Sequence, residues 1–425
     1  MTAKKPKLLF FAFFFPPYRA IASVRSACIA KQLSRIGWDV TVVTPHPSLL
    51  QDYDDPEKVR VELERWGVKR LFTGYRWRCL GTYNLRSYHP GRLRLIWERI
   101  CRRLARAMGI DELIGWNMEA RRACAKLTSR DVDVILATGG AFGIFRVAKK
   151  LSETLGRPYV LDYRDLWTGN PHAPARMRER SRNIERELLE GCSAVSVVSP
   201  SMAQYLSGRV GMADKVHVVS NGYDPDDFEN VVPESFGHFA IVYTGGFYQQ
   251  KRTAEPLMRA LKRLMQFEPP RPWRFHYYGT CGAHVRELAR KHGVEDRVEL
   301  HDQVSRSRCL SAIGGAGVAI VVTSVHEAGD LADRGIITGK IFEPIGLGTP
   351  VMVVAPPHSD VEAVVHDAGR GAVFAGSDIE GMAAYLNGLL AGNVPPRNHP
   401  EKYAWTSLAQ SMDAMLRKAM SGSAA

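Results

Sequence analysis

From Leu8 onward, short apolar runs alternate with stretches whose apolar residues recur at helical spacing, and this alternation constrains the fold more than any other feature. LLFFAFFF at 8–15 is followed by a helical pattern over 23–36, a stop at Gly37 and the run DVTVVT at 39–44. A strand, a helix and a second strand in that order make parallel neighbours, because the crossover returns the chain to the same end of the sheet. Runs this rich in Val, Ile and Phe suit strands covered on both faces. The pattern recurs at 132–138, 158–163, 193–199 and 215–220, with helical stretches at 91–108, 112–129 and 176–190. Residues 46–90 read as irregular, polar and aromatic, with a short strand over 69–73.

The stretch 220–238, rich in Asn, Gly, Asp and Pro, has no periodicity and reads as a linker. The alternation then restarts with FAIVYT at 239–244 and continues to a helical pattern over 378–391. The predicted fold class is therefore α/β, with two Rossmann-like, doubly wound parallel-sheet domains facing a cleft. Their boundaries are 1–220, a linker at 221–238, and 239–399. Residues 400–425 are read as a helix packing back across the domains, anchored by Trp405. A chain of 425 residues is long for a single core. Open parallel sheets bind ligands beyond the carboxyl ends of their strands, so the cleft is the expected site.

Composition narrows the partners. The formal charge of +13 and a pI near 9.4 call for something anionic: nucleotide, nucleic acid or lipid surface. No recognised nucleic-acid module is present, and none is expected to act here. The seven cysteines lack paired spacing, which predicts reduced thiols in the cytoplasm without a disulfide framework or metal cage. The first apolar run follows Lys4, Lys5 and Lys7 but has no small-residue cleavage site after it. Pro16, Pro17 and Arg19 end it far short of a membrane span, so a buried first strand is expected.

Three glycine turns follow strands in the second half. In TGGFYQQKR at 244–252, Gly245 and Gly246 let backbone N–H groups approach an anion and Lys251 adds a charge; a plain structural turn has the same composition. YYGTCG at 277–282 places Gly279 in the same way. The third, GIITGKIFEPIGLGTPVMVVA at 335–355, has Ile336, Ile337, Ile341, Phe342 and Ile345 at helical spacing and a stop at Gly348. Lys340 and Glu343 share one face near the start of that helix. A helix start suits a phosphate, and a carboxylate can accept from the two hydroxyls of a ribose. A surface Lys–Glu pair would look the same. In the first half, Arg19, Ser23 and Arg25 fall beside the cleft. LDYRDLW at 161–167 puts Asp162, Arg164 and Asp165 at a strand end, either as reacting groups or as a buried Asp–Arg pair.

Along nearly its whole length the chain resembles the retaining nucleotide-sugar glycosyltransferases of family 4, with the two-Rossmann-domain GT-B fold. YTGGFYQQK is similar to the family's strand–glycine–lysine turn, and VVSNGYDPDDF to its linker. GKIFEPIGLGTPVMV is similar to its donor-binding helix, and YAWTSLAQSM to its closing helix. LDYRDLW, with the lysine three before Glu343, most resembles the bacterial surface-polysaccharide subgroup near the N-acetylfucosamine transferases. The resemblance implies sugar transfer with retention from a nucleotide sugar, of UDP type, to a glycan or lipid-linked acceptor. It implies no metal, no cofactor and no protein nucleophile. Glu343 would bind the donor ribose. Lys251, with the backbone of Gly339, Lys340 and Ile341 and the turn at Gly245 and Gly246, would neutralise the leaving diphosphate. Gly279 would lie by the base, Arg164 and Asp165 at the reacting end, and Arg19, Ser23 and Arg25 on the acceptor side.

The chain departs from the family at four points. Gly335 stands where the family has a Glu eight residues before Glu343, and Gly246 where an arginine is common. Arg164 replaces a frequent histidine, and Ala20-Ile21-Ala22 replaces a glycine turn. The grip on the sugar is the role most affected, and Lys251 is left with more of the phosphate charge.

GRLRLIWERICRRLARAMG at 91–109 is the strongest amphipathic stretch. Leu93, Trp97, Ile100, Leu104, Ala107 and Met108 fall on one side and Arg92, Arg99, Arg102, Arg103 and Arg106 on the other. Its apolar face either covers the protein's own core or lies on an anionic bilayer, at the inner face of the plasma membrane. Rival readings are a natural-product glycosyltransferase with a soluble acceptor, a two-Rossmann epimerase, and a catalytically silent nucleotide-binding homologue.

Overall fold

The structure, a computed structural model, describes residues 4–18, 21–49, 55–77, 92–108, 113–140, 142–170, 175–210, 213–247, 251–326 and 331–422. The chain divides into two compact units. One comprises Met1–Val198, Met202–Val219 and Ala409–Ala425; the other Ser199–Ser201 and Ser220–Leu408.

The first unit is built on seven strands: β1 (Lys7–Phe11), β2 (Asp39–Pro45), β3 (Lys69–Thr73), β4 (Val134–Thr138), β5 (Tyr159–Tyr163), β6 (Ala194–Val197) and β7 (Val216–Val218). They pair in parallel in the order β3-β2-β1-β4-β5-β6-β7. The opening apolar run is thus a central strand, with Leu8, Leu9, Phe10 and Phe11 all buried. The terminal helix Trp405–Gly422 contributes to this unit from Ala409 onward, where Trp38 Nε1 donates to Asp413 at 2.6 Å.

The second unit has six strands: β8 (Phe239–Thr244), β9 (Trp273–Tyr278), β10 (Val298–His301), β11 (Val318–Val322), β12 (Val351–Val354) and β13 (Gly371–Phe374). They are parallel in the order β10-β9-β8-β11-β12-β13. One face packs Leu257, Leu261, Val285 and Leu386 against Phe275 and Tyr277; another cluster joins Phe342 and Ile345 to Val353 and Val361. Two parallel-sheet α/β units of this kind are the GT-B architecture.

Two local differences from the sequence reading have physical causes. Residues 46–90, expected to be irregular, contain the helix Pro56–Arg65; Asp55 caps it by accepting from the Glu57 N–H at 3.0 Å, and Pro56 opens it. The helix Arg92–Ala107 does not turn its apolar face inward. Glu98 and Ala105 are buried, whereas Leu93, Ile96, Trp97, Ile100, Leu104 and Met108 are exposed. Among the described residues no helix is long and apolar enough to cross a membrane.

Candidate functional site

Parallel pairing sets Thr244, the end of β8, beside Tyr278, the end of β9, so the turns at Gly245 and Gly279 are neighbours. They are joined through Tyr277, whose hydroxyl donates to the Gly245 carbonyl at 2.9 Å and accepts from the Cys281 N–H at 2.9 Å. A Cβ on Gly279 would stand 2.5 Å from the Gly245 oxygen. Gly245 itself has φ +111°, and a Cβ there would meet Lys340 Nζ at 2.0 Å. Glycine at this position therefore does two things: it permits the turn, and it lets the Lys340 ammonium close on it. Gly246 is next to the Cys281 thiol, with its would-be Cβ 4.0 Å from Sγ.

Lys340 lies over the Tyr243 ring at 5.3 Å. Burial, reinforced by the nearby Arg252, lowers its pKa from the ordinary lysine value. An ammonium desolvated next to another cation is a group that an incoming anion would stabilise. The backbone around it is a 3₁₀ turn, Gly339–Ile341, running into the six-residue helix Phe342–Leu347, which Gly348 ends at φ +78°. A helix this short supplies little dipole, so the positive character here comes from Lys340 and its neighbours. Gly339 faces open space. Ile341, expected among the donor contacts, is fully buried, and its N–H bonds the Thr338 carbonyl at 3.3 Å, so it is a core residue.

Glu343 is half-buried, and its Oε1 accepts from Arg306 Nη1 at 2.6 Å. Arg306 Nη2 donates to Asp227 Oδ2 at 2.8 Å, tying the 221–238 segment to the helix that carries Glu343. Burial raises the Glu343 carboxyl above the usual range, and Arg306 partly offsets this. The linker also packs on this helix through Gly346, where a Cβ would lie 2.4 Å from Phe228. Lys251 Nζ makes an ion pair with both oxygens of Asp333, at 2.6 and 2.9 Å, and Asp333 is buried. Lys251 is thus already matched by a carboxylate, and Lys340 is the cation at the glycine turn.

Asp333 and Arg306 were missed in the sequence. Asp333 lies two residues before Gly335, where the family's partner carboxylate was sought, so a carboxylate is present but displaced along the chain. Arg306 gave no signal, since an arginine after a Ser305 cap resembles any solvated helix residue.

In the first unit, Asp162 at the end of β5 is fully buried and accepts from four groups. Arg25 reaches it at 2.7 and 3.1 Å, and Thr138 and Ser196 at 2.7 Å each. Burial alone would raise its pKa; Arg25, Ser196 and Thr138 outweigh that and hold it below the ordinary value. Arg25, expected on the acceptor side, is therefore a buried structural partner, and Ser23 is buried as well. Arg164 folds onto backbone, donating to the Gly139 carbonyl at 2.7 Å and the Ala22 carbonyl at 3.2 Å, with its guanidinium 5.2 Å from the Phe14 ring centre. Asp165 is exposed. Arg19 lies outside the described residues.

A separate histidine row crosses the second sheet. His238 Nε2 and His276 Nε2 are 2.8 Å apart, and His276 Nδ1 is 3.1 Å from His301 Nε2. Glu299 lies 3.4 Å from His276 Nδ1. Burial lowers His276 to about 4, so it is neutral at ordinary pH. Among the described residues His238, His276 and Glu299 are the group arranged closely enough to hold a metal ion. The two His276 nitrogens already face ring partners, an arrangement that alternating N–H and N groups satisfy without one.

Comparison with known proteins fits this geometry. Residues 22–222 match the family described as "Glycosyl transferase 4-like domain", and residues 238–392 match "Glycosyl transferases group 1". No curated protein sequence matches the chain. Among solved structures, sucrose-phosphate synthase from Thermosynechococcus elongatus is 16% identical with a TM-score of 0.57, over 98% of this chain and 97% of that one. Anabaena HepE, solved with UDP-glucose, is 14% identical with a TM-score of 0.56, over 98% of both chains. The lipopolysaccharide outer core galactosyltransferase WaaB is 13% identical with a TM-score of 0.57, over 97% of this chain and 99% of that one.

Proposed function

With its two halves matching glycosyltransferase domains, we propose that this chain transfers a sugar, with retention, from a UDP-type nucleotide sugar to a glycan or lipid-linked acceptor in cell-surface polysaccharide biosynthesis. It works from the inner face of the plasma membrane. The observation that carries the donor assignment is the desolvated Lys340 ammonium held against the Gly245 turn, three residues from Glu343. A departing nucleoside diphosphate develops negative charge, and a cation fixed in place stabilises that charge without reorganising. Lys340 supplies this charge, and the Lys251–Asp333 pair sets the local balance. Glu343, aligned by Arg306, accepts from the ribose hydroxyls. No resident metal or cofactor is needed for this chemistry, and no side chain serves as nucleophile.

The UDP-glucose found in HepE supports the choice of base, and WaaB, which acts on a lipopolysaccharide, supports the choice of acceptor class. A soluble acceptor is the rival reading, which the similar AviGT4 of avilamycin A biosynthesis keeps in view. A thermal-shift panel of nucleoside diphosphates and nucleotide sugars tests the donor site. A bound ligand at 100 times its dissociation constant adds about 2.7 kcal/mol of stability. No shift with any nucleotide sinks the assignment. A shift without turnover or donor hydrolysis, with lipid-diphosphate and small hydroxylated acceptors alike, identifies a silent binding protein instead.

A further inference from the structure

The helix Arg92–Ala107 is divided into three lengthwise sectors. Glu98 and Ala105, seven residues apart, are turned inward, with Cys101 and Arg102 partly covered beside them. Leu93, Ile96, Trp97, Ile100, Leu104 and Met108 form a continuous outer stripe at spacings of three and four. Their exposures run from 50% for Ile100 to 85% for Leu93. Arg99 and Arg103, both exposed, lie along one border of that stripe.

This is the reverse of a helix that covers a sheet. Among the described side chains, the inner line carries a glutamate and an alanine, and six large apolar ones face outward. A single exposed leucine is ordinary, but six large apolar side chains on one face of one helix are a surface built to meet something. The arginine border favours an anionic partner, as does the net charge of +13. A tryptophan within the stripe suits the boundary between headgroups and acyl chains.

We propose that the outer face of this helix docks the protein on an anionic bilayer. The helix lies in the plane of the interface, with Trp97, Ile100 and Leu104 among the acyl chains and Arg99 and Arg103 at the phosphates. The inference deepens the lipid-linked acceptor reading and rests on it only for its purpose. It shares no residue with the donor site, so nucleotide binding survives if docking fails.

The test is co-flotation of the full chain with vesicles of neutral phosphatidylcholine and with phosphatidylcholine vesicles enriched in phosphatidylserine, whose surface potential is negative. The expected result is binding to the anionic vesicles that weakens with salt. R99Q/R103Q lowers the partition coefficient by about 25-fold, at roughly fivefold for each arginine. W97S/L104S, which changes exposed side chains and keeps the thermal midpoint and the UDP shift, abolishes binding. Acyl chains brominated in the bilayer quench Trp97 in the wild type, and W97F removes that share of the quenching. Absence of binding to anionic vesicles at low salt overturns the proposal, as does unchanged binding by W97S/L104S. If those substitutions instead dissolve a concentration-dependent dimer while vesicles are ignored, the occupant of the face is a second copy and the proposal is also overturned.

Discussion

Replacing Gly245 by alanine separates the two things that this glycine does. At φ +111° an L side chain is strained by about 1–3 kcal/mol. The added Cβ would also overlap Lys340 Nζ at 2.0 Å and Cε at 2.7 Å. Those atoms end a flexible side chain, so the clash is relieved by displacing the ammonium, and the backbone strain remains. Gly245→Ala is therefore expected to lower stability by about 1–3 kcal/mol and to weaken UDP binding by roughly 10- to 100-fold, the worth of one charge-assisted hydrogen bond. Lys340→Met separates the effects. It removes the ammonium without touching the turn, so UDP affinity falls as far. The apo protein keeps or gains stability, because an ammonium that burial disfavours is gone. Thermal unfolding with and without UDP, together with calorimetric titration, reads both quantities for both variants. If Gly245→Ala loses stability but binds UDP as tightly as the wild type, Lys340 is not at the phosphate and the charge argument is wrong.

Other outcomes follow from the same geometry. Arg306→Met leaves the half-buried Glu343 without its partner; with half of the arginine side chain exposed, the loss is about 1–2 kcal/mol, accompanied by weaker UDP binding in titration. Asp162→Asn strands the buried Arg25 and is expected to cost about 3–5 kcal/mol in denaturant unfolding, with any UDP shift in the surviving folded protein unchanged. His276 sits near 4 in the folded chain against 6.5 unfolded, so the unfolded state takes up the proton first. Stability then falls by about 3 kcal/mol as pH drops from 6.5 toward 4. His276→Phe should flatten that acid limb in thermal melts, and an unchanged slope would assign the pH dependence to other groups.

Both sheets were legible because parallel strands covered on two faces must be nearly continuous apolar runs, and β1, β4, β8 and β11 are such runs. The helix Pro56–Arg65 was not, because Val59, Val61 and Leu63 are its only apolar side chains after the opening proline and its start rests on one capping aspartate and that proline. The site divided in the same way. Gly245 and Gly279 stood out because each follows a strand in a glycine-marked turn, and parallel register carries those two turns to one edge. Lys340 and Glu343 stood out as a pair three apart at the start of a short helix that a glycine ends. Asp333 and Arg306 did not, because an ion pair joining residues 82 or 37 positions apart leaves no local pattern.

The orientation of the helix Arg92–Ala107 was beyond reach for a different reason. Periodicity shows that a helix has an apolar side but not what that side meets, and a core and a bilayer ask for the same stripe. The structure rules out the core for the described side chains, because Glu98 and Ala105 take the buried line and the stripe from Leu93 to Met108 is exposed; the bilayer is the occupant proposed for it. The same reasoning applies to Lys251. Read alone it is a cation awaiting phosphate; with both oxygens of Asp333 on its ammonium it is a neutralised pair, and the positive charge at the glycine turn passes to Lys340. Asp333→Asn is therefore expected to strengthen UDP binding by releasing Lys251 toward the diphosphate, even as it loosens the fold. Weaker binding in titration would show instead that the pair holds Lys251 in its working position.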